Sequence, residues 1–303
     1  MNVTVYGTAR NLDLMLLQTM SGADPEHPHI HVVDMPYRLT STWQDRGCRL
    51  ATWQEGEEIS AWAVFQPPWW NLDYAIHPSQ RGTSLEREVL AWGKAQMMEY
   101  AQRTQADFFG SVEVFEDTPD AERTMEHLAS LGFEKFDWSI IRLEKDLDQE
   151  LPRPRLPHGF SLRPFRGCAE IRAYVELHRA AFGSDAMTTA WRGRTLEHPA
   201  YRPDIDLVAV DRADMCVGFC VCWMWQGVGQ IEPMGVHPDY QGHGLGRALE
   251  LAAMQALRSA GARFVHVDHV STNEVAVALS LKAGFRQVNN AVRYFVETGI
   301  GET

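Results

Sequence analysis

The segment that most constrains this chain runs from Ile231 to Arg258. An apolar stretch leads into a turn bearing three alternating glycines, and a helix follows at once. Residues 231–236, interrupted by Pro233, read as a strand that gives way to a turn at His237-Pro238. Leu245, Leu249, Ala252, Ala253, Ala256 and Leu257 then recur at helical spacing, so one helix face is apolar. Between them Gly242, Gly244 and Gly246 leave backbone N–H groups uncovered. The positive end of the helix dipole lies at the same place. A strand, turn and helix of this composition form a seat for a di- or polyphosphate.

The detail narrows the choice of loop. Gln241-x-x-Gly244-x-Gly246 resembles the pyrophosphate loop of the GNAT superfamily, the acetyl-CoA-dependent N-acetyltransferases. Downstream, Asn273-x-x-Ala276-x-x-Leu279, leading to Lys282-x-Gly284-Phe285, is similar to that family's next conserved element. Other phosphate loops fit less well. A dinucleotide fingerprint would need its third glycine where Arg247 stands, although Asp268 does follow an expected strand. No Gly-Lys-Ser/Thr occurs for a P-loop.

With 303 residues the chain has length for two domains, and its 45% hydrophobic and 22% charged content is that of a globular protein. A formal charge of −12 argues against a nucleic-acid partner, because binding to phosphate backbones needs clustered Lys and Arg. An acidic surface suits a cationic substrate such as an amine, or serves solubility alone. No stretch approaches the roughly 18 apolar residues of a membrane span, and residues 1–20 lack the pattern of a signal peptide. The expectation is a cytoplasmic protein with no membrane partner; nothing in the sequence sets its oligomeric state. Of five cysteines, Cys216, Cys220 and Cys222 share one apolar run and read as core thiols, with no metal-ligand spacing.

The chain also repeats itself. Ile76-His77-Pro78 matches Val236-His237-Pro238, 160 residues on, and Leu131-Gly132-Phe133 matches Ala283-Gly284-Phe285, 152 residues on. The first copy has Ser84 and Glu86 where the second has Gly244 and Gly246. A carboxylate there opposes phosphate, so the first copy is expected to keep the fold and to have lost the cofactor. Three prolines, Pro152, Pro154 and Pro157, mark the expected boundary. The expected domains are residues 1–147, a degenerate copy; 148–158, a linker; and 159–303, the acetyl-CoA-binding copy.

The resemblance implies an α/β fold class: two tandem GNAT domains, each a mixed, mostly antiparallel sheet flanked by helices. The sheet opens between its fourth and fifth strands, and acetyl-CoA lies in that opening as co-substrate, without a metal. Gln241, Gly242, His243, Gly244, Leu245, Gly246 and Arg247 would hold the pyrophosphate. The backbone of Met234, Gly235 and Val236 would bond the pantetheine arm, and Pro233 suits a bulge or free edge there. Asn273 corresponds to the family's asparagine, as a cofactor contact, a helix cap or both.

The implied reaction is attack of a small-molecule amine on the thioester, aided by a base. Glu232 on the cofactor strand is the candidate, with Leu72 at its place in the first copy; His269 and Asp268 are in reserve. The family's general acid, a tyrosine, would follow Leu279. Ser280 stands there instead, a far weaker and shorter acid expected to contribute little. Tyr294 on the next strand is a possible substitute. The alternatives are a non-catalytic acyl-CoA sensor and, less well supported, a dinucleotide enzyme.

Overall fold

The computed structural model describes residues 2–6, 14–23, 30–41, 49–56 and 58–299. The first half contains β1 (Asn2–Tyr6), α1 (Leu14–Ser21), α2 (Met35–Leu39), β2 (Leu50–Glu55), β3 (Glu58–Gln66) and β4 (Asn71–Ile76). It continues with α3 (Ser84–Thr104), β5 (Phe109–Phe115), α4 (Ala121–Ser130) and β6 (Glu134–Asp146). The second half opens with β7 (Ser161–Pro164), α5 (Ile171–Phe182), α6 (Thr189–Glu197) and β8 (Asp206–Val210). Then come β9 (Cys216–Trp225), β10 (Val228–Val236), α7 (Leu245–Ser259), β11 (Phe264–Val270), α8 (Glu274–Ala283) and β12 (Arg286–Glu297). A 3-10 turn at Pro67–Trp69 precedes β4.

Two compact units divide the chain. Unit 1 is Met1–Val32, Ser41–Ile140 and Asn289–Thr303; unit 2 is Val33–Thr40 and Ile141–Val288. Strands in unit 1 follow the order β1-β2-β3-β4-β5-β12-β6, and those in unit 2 the order β6-β11-β10-β9-β8-β7. Most pairs are antiparallel; β4 with β5 and β10 with β11 are parallel. The last strand, β12, pairs with β5 in unit 1, from Ala291 against Phe115 to Glu297 against Phe109. The proline-rich segment 148–158 is packed onto unit 2. Leu151 is buried in its core with Leu147, Leu156 lies against that core, and Gln255 donates to the Pro152 carbonyl at 3.3 Å. Prolines stiffen such a segment, and apolar residues between them give it something to bury.

The core of unit 2 shows why the sequence folds this way. β9 is buried on both faces. Phe219 points to α5, stacking on His178 at 5.5 Å, while a Cβ at the preceding Gly218 would strike Leu249 of α7 at 2.9 Å. Strands covered on both sides read as continuous apolar runs, as residues 217–223 do. Cys220 and Cys222 are buried free thiols with sulfurs 3.9 Å apart, as the sequence suggested.

The duplication persists in fine detail. His77 and His237 both open a 3-10 turn, and in each the Nδ1 atom accepts from the backbone N–H two residues on, at 3.3 Å. Gly82 and Gly242 follow with φ of +65° and +79°. Gly132 and Gly284 close α4 and α8 with φ of +78° and +92°, a left-handed conformation that glycine adopts readily.

Candidate active site

β10 and β11 pair only from Val228 to Gln230 against Phe264 to His266. Beyond Gln230 the strands part, which is the opening expected between the family's fourth and fifth strands. On its other edge β10 breaks register with β9 between Ile231 and Met234, a bulge centred on Glu232 and Pro233. Trp223 fixes that bulge by donating its indole N–H to the Glu232 carbonyl at 2.8 Å.

The surroundings of Glu232 are acidic. Burial pushes the Glu232 carboxyl up to about 8, with Asp34 and Asp268 adding to the rise and Arg38 opposing it. Asp34, Tyr37 and Arg38 come from α2 and the residue before it. They lie in unit 2 although they precede it by a hundred residues of chain. Tyr37 stacks on Trp191 of α6 at 5.0 Å and accepts the Trp191 indole N–H on its carbonyl at 3.2 Å. Nothing local in residues 30–41 signals this placement, which depends on partners far away in sequence. Trp191 and Trp223 are core, and Trp70 is exposed.

The glycine loop stands at the end of β10. Gln241 donates to the Val236 carbonyl at 3.1 Å, closing the turn. Gly242 and Gly244 have φ of +79° and +85°, and a Cβ on either would meet nothing within 4 Å. Conformation, rather than space, is what requires glycine there. Gly246 differs, since a Cβ would make ordinary contact with Leu279 at 3.6 Å. Gly244 caps α7 without any side-chain hydrogen bond, leaving the first N–H groups of the helix for a ligand. An anion suits that end of a fifteen-residue helix, and the residues present therefore fit a pyrophosphate. Beside the loop a cavity of about 750 Å³ gathers Arg247 with Arg153 and Arg155 of the proline-rich segment. His243 is exposed.

The first copy shows the opposite. Thr83 caps α3 through its hydroxyl, which accepts the Leu85 N–H at 3.2 Å. Glu86 is fully buried, and its carboxylate accepts from the Gly82 N–H at 2.7 Å, from Thr124 at 2.9 Å and from Tyr74 at 3.3 Å. The anion seat of this copy holds its own carboxylate.

Three further groups have defined places. Asn273 is the cap of α8, its side-chain oxygen accepting the Ala276 N–H at 3.2 Å. Asp268 is held by Arg142 of β6 through two hydrogen bonds of 2.9 and 2.8 Å, which ties up the charge a base would use. Tyr294 belongs to β12 and pairs with Val112 in unit 1.

Ser280 is buried and bonded on both sides. Its hydroxyl donates to Glu250 Oε1 at 2.5 Å and lies 2.9 Å from Nε2 of His269. Glu250, on α7, is fully buried, and burial pushes its carboxyl up to about 7 against the opposing pull of the Ser280 hydrogen bond and of Arg247. Sequence reasoning passed over Glu250. The signal was present: Leu90 occupies the matching place in the first copy. No cluster able to hold a metal occurs among the described residues, and no helix there is long and apolar enough to cross a membrane.

Comparison with known proteins agrees with this geometry. Residues 171–285 match the model of the acetyltransferase (GNAT) family. A mycothiol acetyltransferase of Thermobispora bispora is 29% identical over 261 residues, covering 82% of this chain and 83% of that protein. Another, of Streptomyces coelicolor, is 28% identical over 77% of this chain and 72% of its own. Among solved structures, a GCN5-related N-acetyltransferase from Sphaerobacter thermophilus superposes with TM-score 0.67 at 19% identity, over 98% and 96% of the two chains. A tandem GNAT protein from the clavulanic acid biosynthesis pathway gives 0.66 at 18% identity, over 98% and 99%. The fold is thus the tandem GNAT fold, and the protein is an acetyltransferase enzyme. Residues 171–285 thus carry a domain of the GNAT acetyltransferase family.

Proposed function

We propose that the enzyme moves an acetyl group from acetyl-CoA to a primary amine of a small molecule, by direct attack of the amine on the thioester. The observation that carries this reading is Glu232, a carboxyl with a raised pKa on a bulge at the mouth of the β10–β11 opening, on the strand that leads into the uncapped glycine loop. An amine of pKa about 10 arrives as the ammonium ion and must lose a proton before it can attack. The acidic recess attracts the cation, and Glu232 takes one proton from it to free the nitrogen lone pair, after which the N–C bond forms. The tetrahedral adduct then re-forms its carbonyl as the C–S bond breaks, and the nitrogen's second proton passes to solvent. Backbone groups of Met234, Gly235 and Val236 line the strand along which the pantetheine arm would lie, much as an added strand would. Gln241, Gly242, His243, Gly244, Leu245, Gly246 and Arg247 would hold the pyrophosphate. Asn273 is assigned only the cap.

The acceptor panel begins with mycothiol-related amines, because two similar proteins are named mycothiol acetyltransferases. Release of CoA thiol from acetyl-CoA in the presence of each amine tests the proposal. Turnover of at least one, with loss of most of it in Glu232→Gln, is expected. Glu232→Gln with wild-type turnover would move the base elsewhere.

A further inference from the structure

The catalytic scheme above leaves the departing sulfur without an acid, while a buried carboxyl and a histidine flank the serine that replaces the family's tyrosine. We infer that Glu250, Ser280 and His269 form a proton relay, in which Glu250 decides through Ser280 which nitrogen of His269 carries the proton, and His269 delivers it to the thiolate as it leaves. The inference rests on the acetyl-transfer reading for the identity of the proton acceptor, and on the geometry for the relay itself.

The chain of hydrogen bonds has two self-consistent states. A serine hydroxyl has one proton to donate. When Glu250 is ionised, Ser280 donates to it, so His269 must donate to Ser280 from Nε2–H, leaving Nδ1 as a bare lone pair. When Glu250 is protonated it donates to Ser280, Ser280 donates to His269 Nε2, and Nδ1 carries the hydrogen. Nδ1 makes no hydrogen bond among the described residues. Passage from the second state to the first moves one proton outward. The Nδ1–H bond breaks as S–H forms, Ser280 passes its proton to Nε2, and Glu250 passes its own to Ser280. The products are a free thiol and a Glu250 carboxylate, with neither serine nor histidine changed in charge.

A purely structural reason for this arrangement is hard to sustain. A buried polar pair of this kind is commonly replaced by apolar residues at no loss of stability. The same chain makes that replacement. Leu90 and Leu128, both fully buried, stand in the first copy where Glu250 and Ser280 stand in the second, and Leu72 stands for Glu232. The copy whose anion seat is blocked has dropped all three polar groups together. Among the described residues Glu250 Oε2 has no hydrogen-bond partner, and Ser280 alone hydrogen-bonds this carboxyl. The charged and titratable groups around the relay are few. Arg247 lies one turn back on α7, Cys220 of β9 lies near Glu250, and Asp268, tied to Arg142, adjoins His269. Arg247 favours the carboxylate and burial the acid, which leaves Glu250 poised to exchange a proton near neutral pH.

The tautomer of His269 can be read directly, by nitrogen-15 NMR of the full chain labelled at histidine. In the wild type, His269 is expected to shift from Nδ1–H to Nε2–H as pH rises through about 7. Glu250→Gln, whose amide cannot titrate, should hold His269 in a single tautomer at every pH, and Ser280→Ala should make it blind to Glu250. A single wild-type tautomer across the range, or a Glu250→Gln protein that follows the wild type, overturns the relay. No acyl acceptor is needed, so this result stands apart from the acetyl-transfer reading. Thiol release supplies the second arm, with the best amine or with water as acceptor. Glu250→Gln should lower kcat about tenfold or more, leave the KM for acetyl-CoA unchanged and abolish the decline in rate above pH 7. Ser280→Thr, which keeps the hydroxyl, should retain the decline. Unchanged kcat and pH profile in Glu250→Gln would overturn delivery to the sulfur. Should Glu250→Gln fail to fold, Ser280→Ala makes the same test.

Discussion

At the scale of single residues, the account turns on two carboxyls that burial has made weak acids. Glu232 must be ionised to accept a proton and Glu250 protonated to begin the relay, so the wild-type rate should be bell-shaped in pH, whereas in Glu250→Gln it should rise and level off above about 8. Glu232→Gln is expected to lose about a hundredfold or more in rate, with acetyl-CoA affinity nearly unchanged, as steady-state kinetics will show. Glu250 bears on stability as well. Its pKa is higher in the folded chain, about 7, than the ordinary carboxylate value, so the folded protein holds its proton to higher pH than the unfolded chain does. Stability is therefore lost as pH rises through the interval between the two values. Glu250→Gln should melt higher than the wild type at pH 8, with the difference shrinking toward pH 5. Glu232 was legible in the sequence because it sits on the strand that the glycine loop identifies. Glu250 was hidden within an amphipathic helix, where one charged residue breaks the pattern without showing what it meets. Asp268 looked like a base until its position beside Arg142 was known, and that pairing joins residues 126 apart.

At the scale of elements, α3 and α7 follow the same turn but begin differently, one capped by Thr83 and the other uncapped at Gly244. Gly244 is required for its positive φ, so Gly244→Glu both strains the backbone and sets a charge against the ligand, and should abolish acetyl-CoA binding in calorimetry. Gly246→Ala should fold normally, because its Cβ meets only Leu279 at an ordinary distance. In α3 the expected effect is on stability. Glu86→Ala leaves the Gly82 N–H without its buried acceptor, worth about 1–3 kcal/mol when unsatisfied, and removes one acceptor from the Tyr74 and Thr124 hydroxyls. A drop of several degrees in melting temperature would register it. The loop, its helix and the closing Gly-Phe turn were legible because their determinants are local: positive φ, a cap, an apolar face. The destination of β12 was not. Its apolar alternation fits a sheet edge in either unit, and only pairing with β5 decides.

At the scale of the molecule, duplication has produced two copies of one fold with different fates. One keeps an uncapped helix end, a bulged strand with Glu232, and the buried Glu250–Ser280 pair. The other has filled its loop with Glu86 and replaced those three polar groups by leucines. The compact units cross the sequence boundary twice, through α2 and β12, which no repeat analysis shows, because a repeat records ancestry and not which strands pair. The claim that chemistry belongs to the second copy alone is tested most directly by calorimetric titration of the whole chain with acetyl-CoA. One molecule bound per chain, and none in Gly244→Glu, is the expected result. Two bound per chain, or one that survives Gly244→Glu, would contradict it.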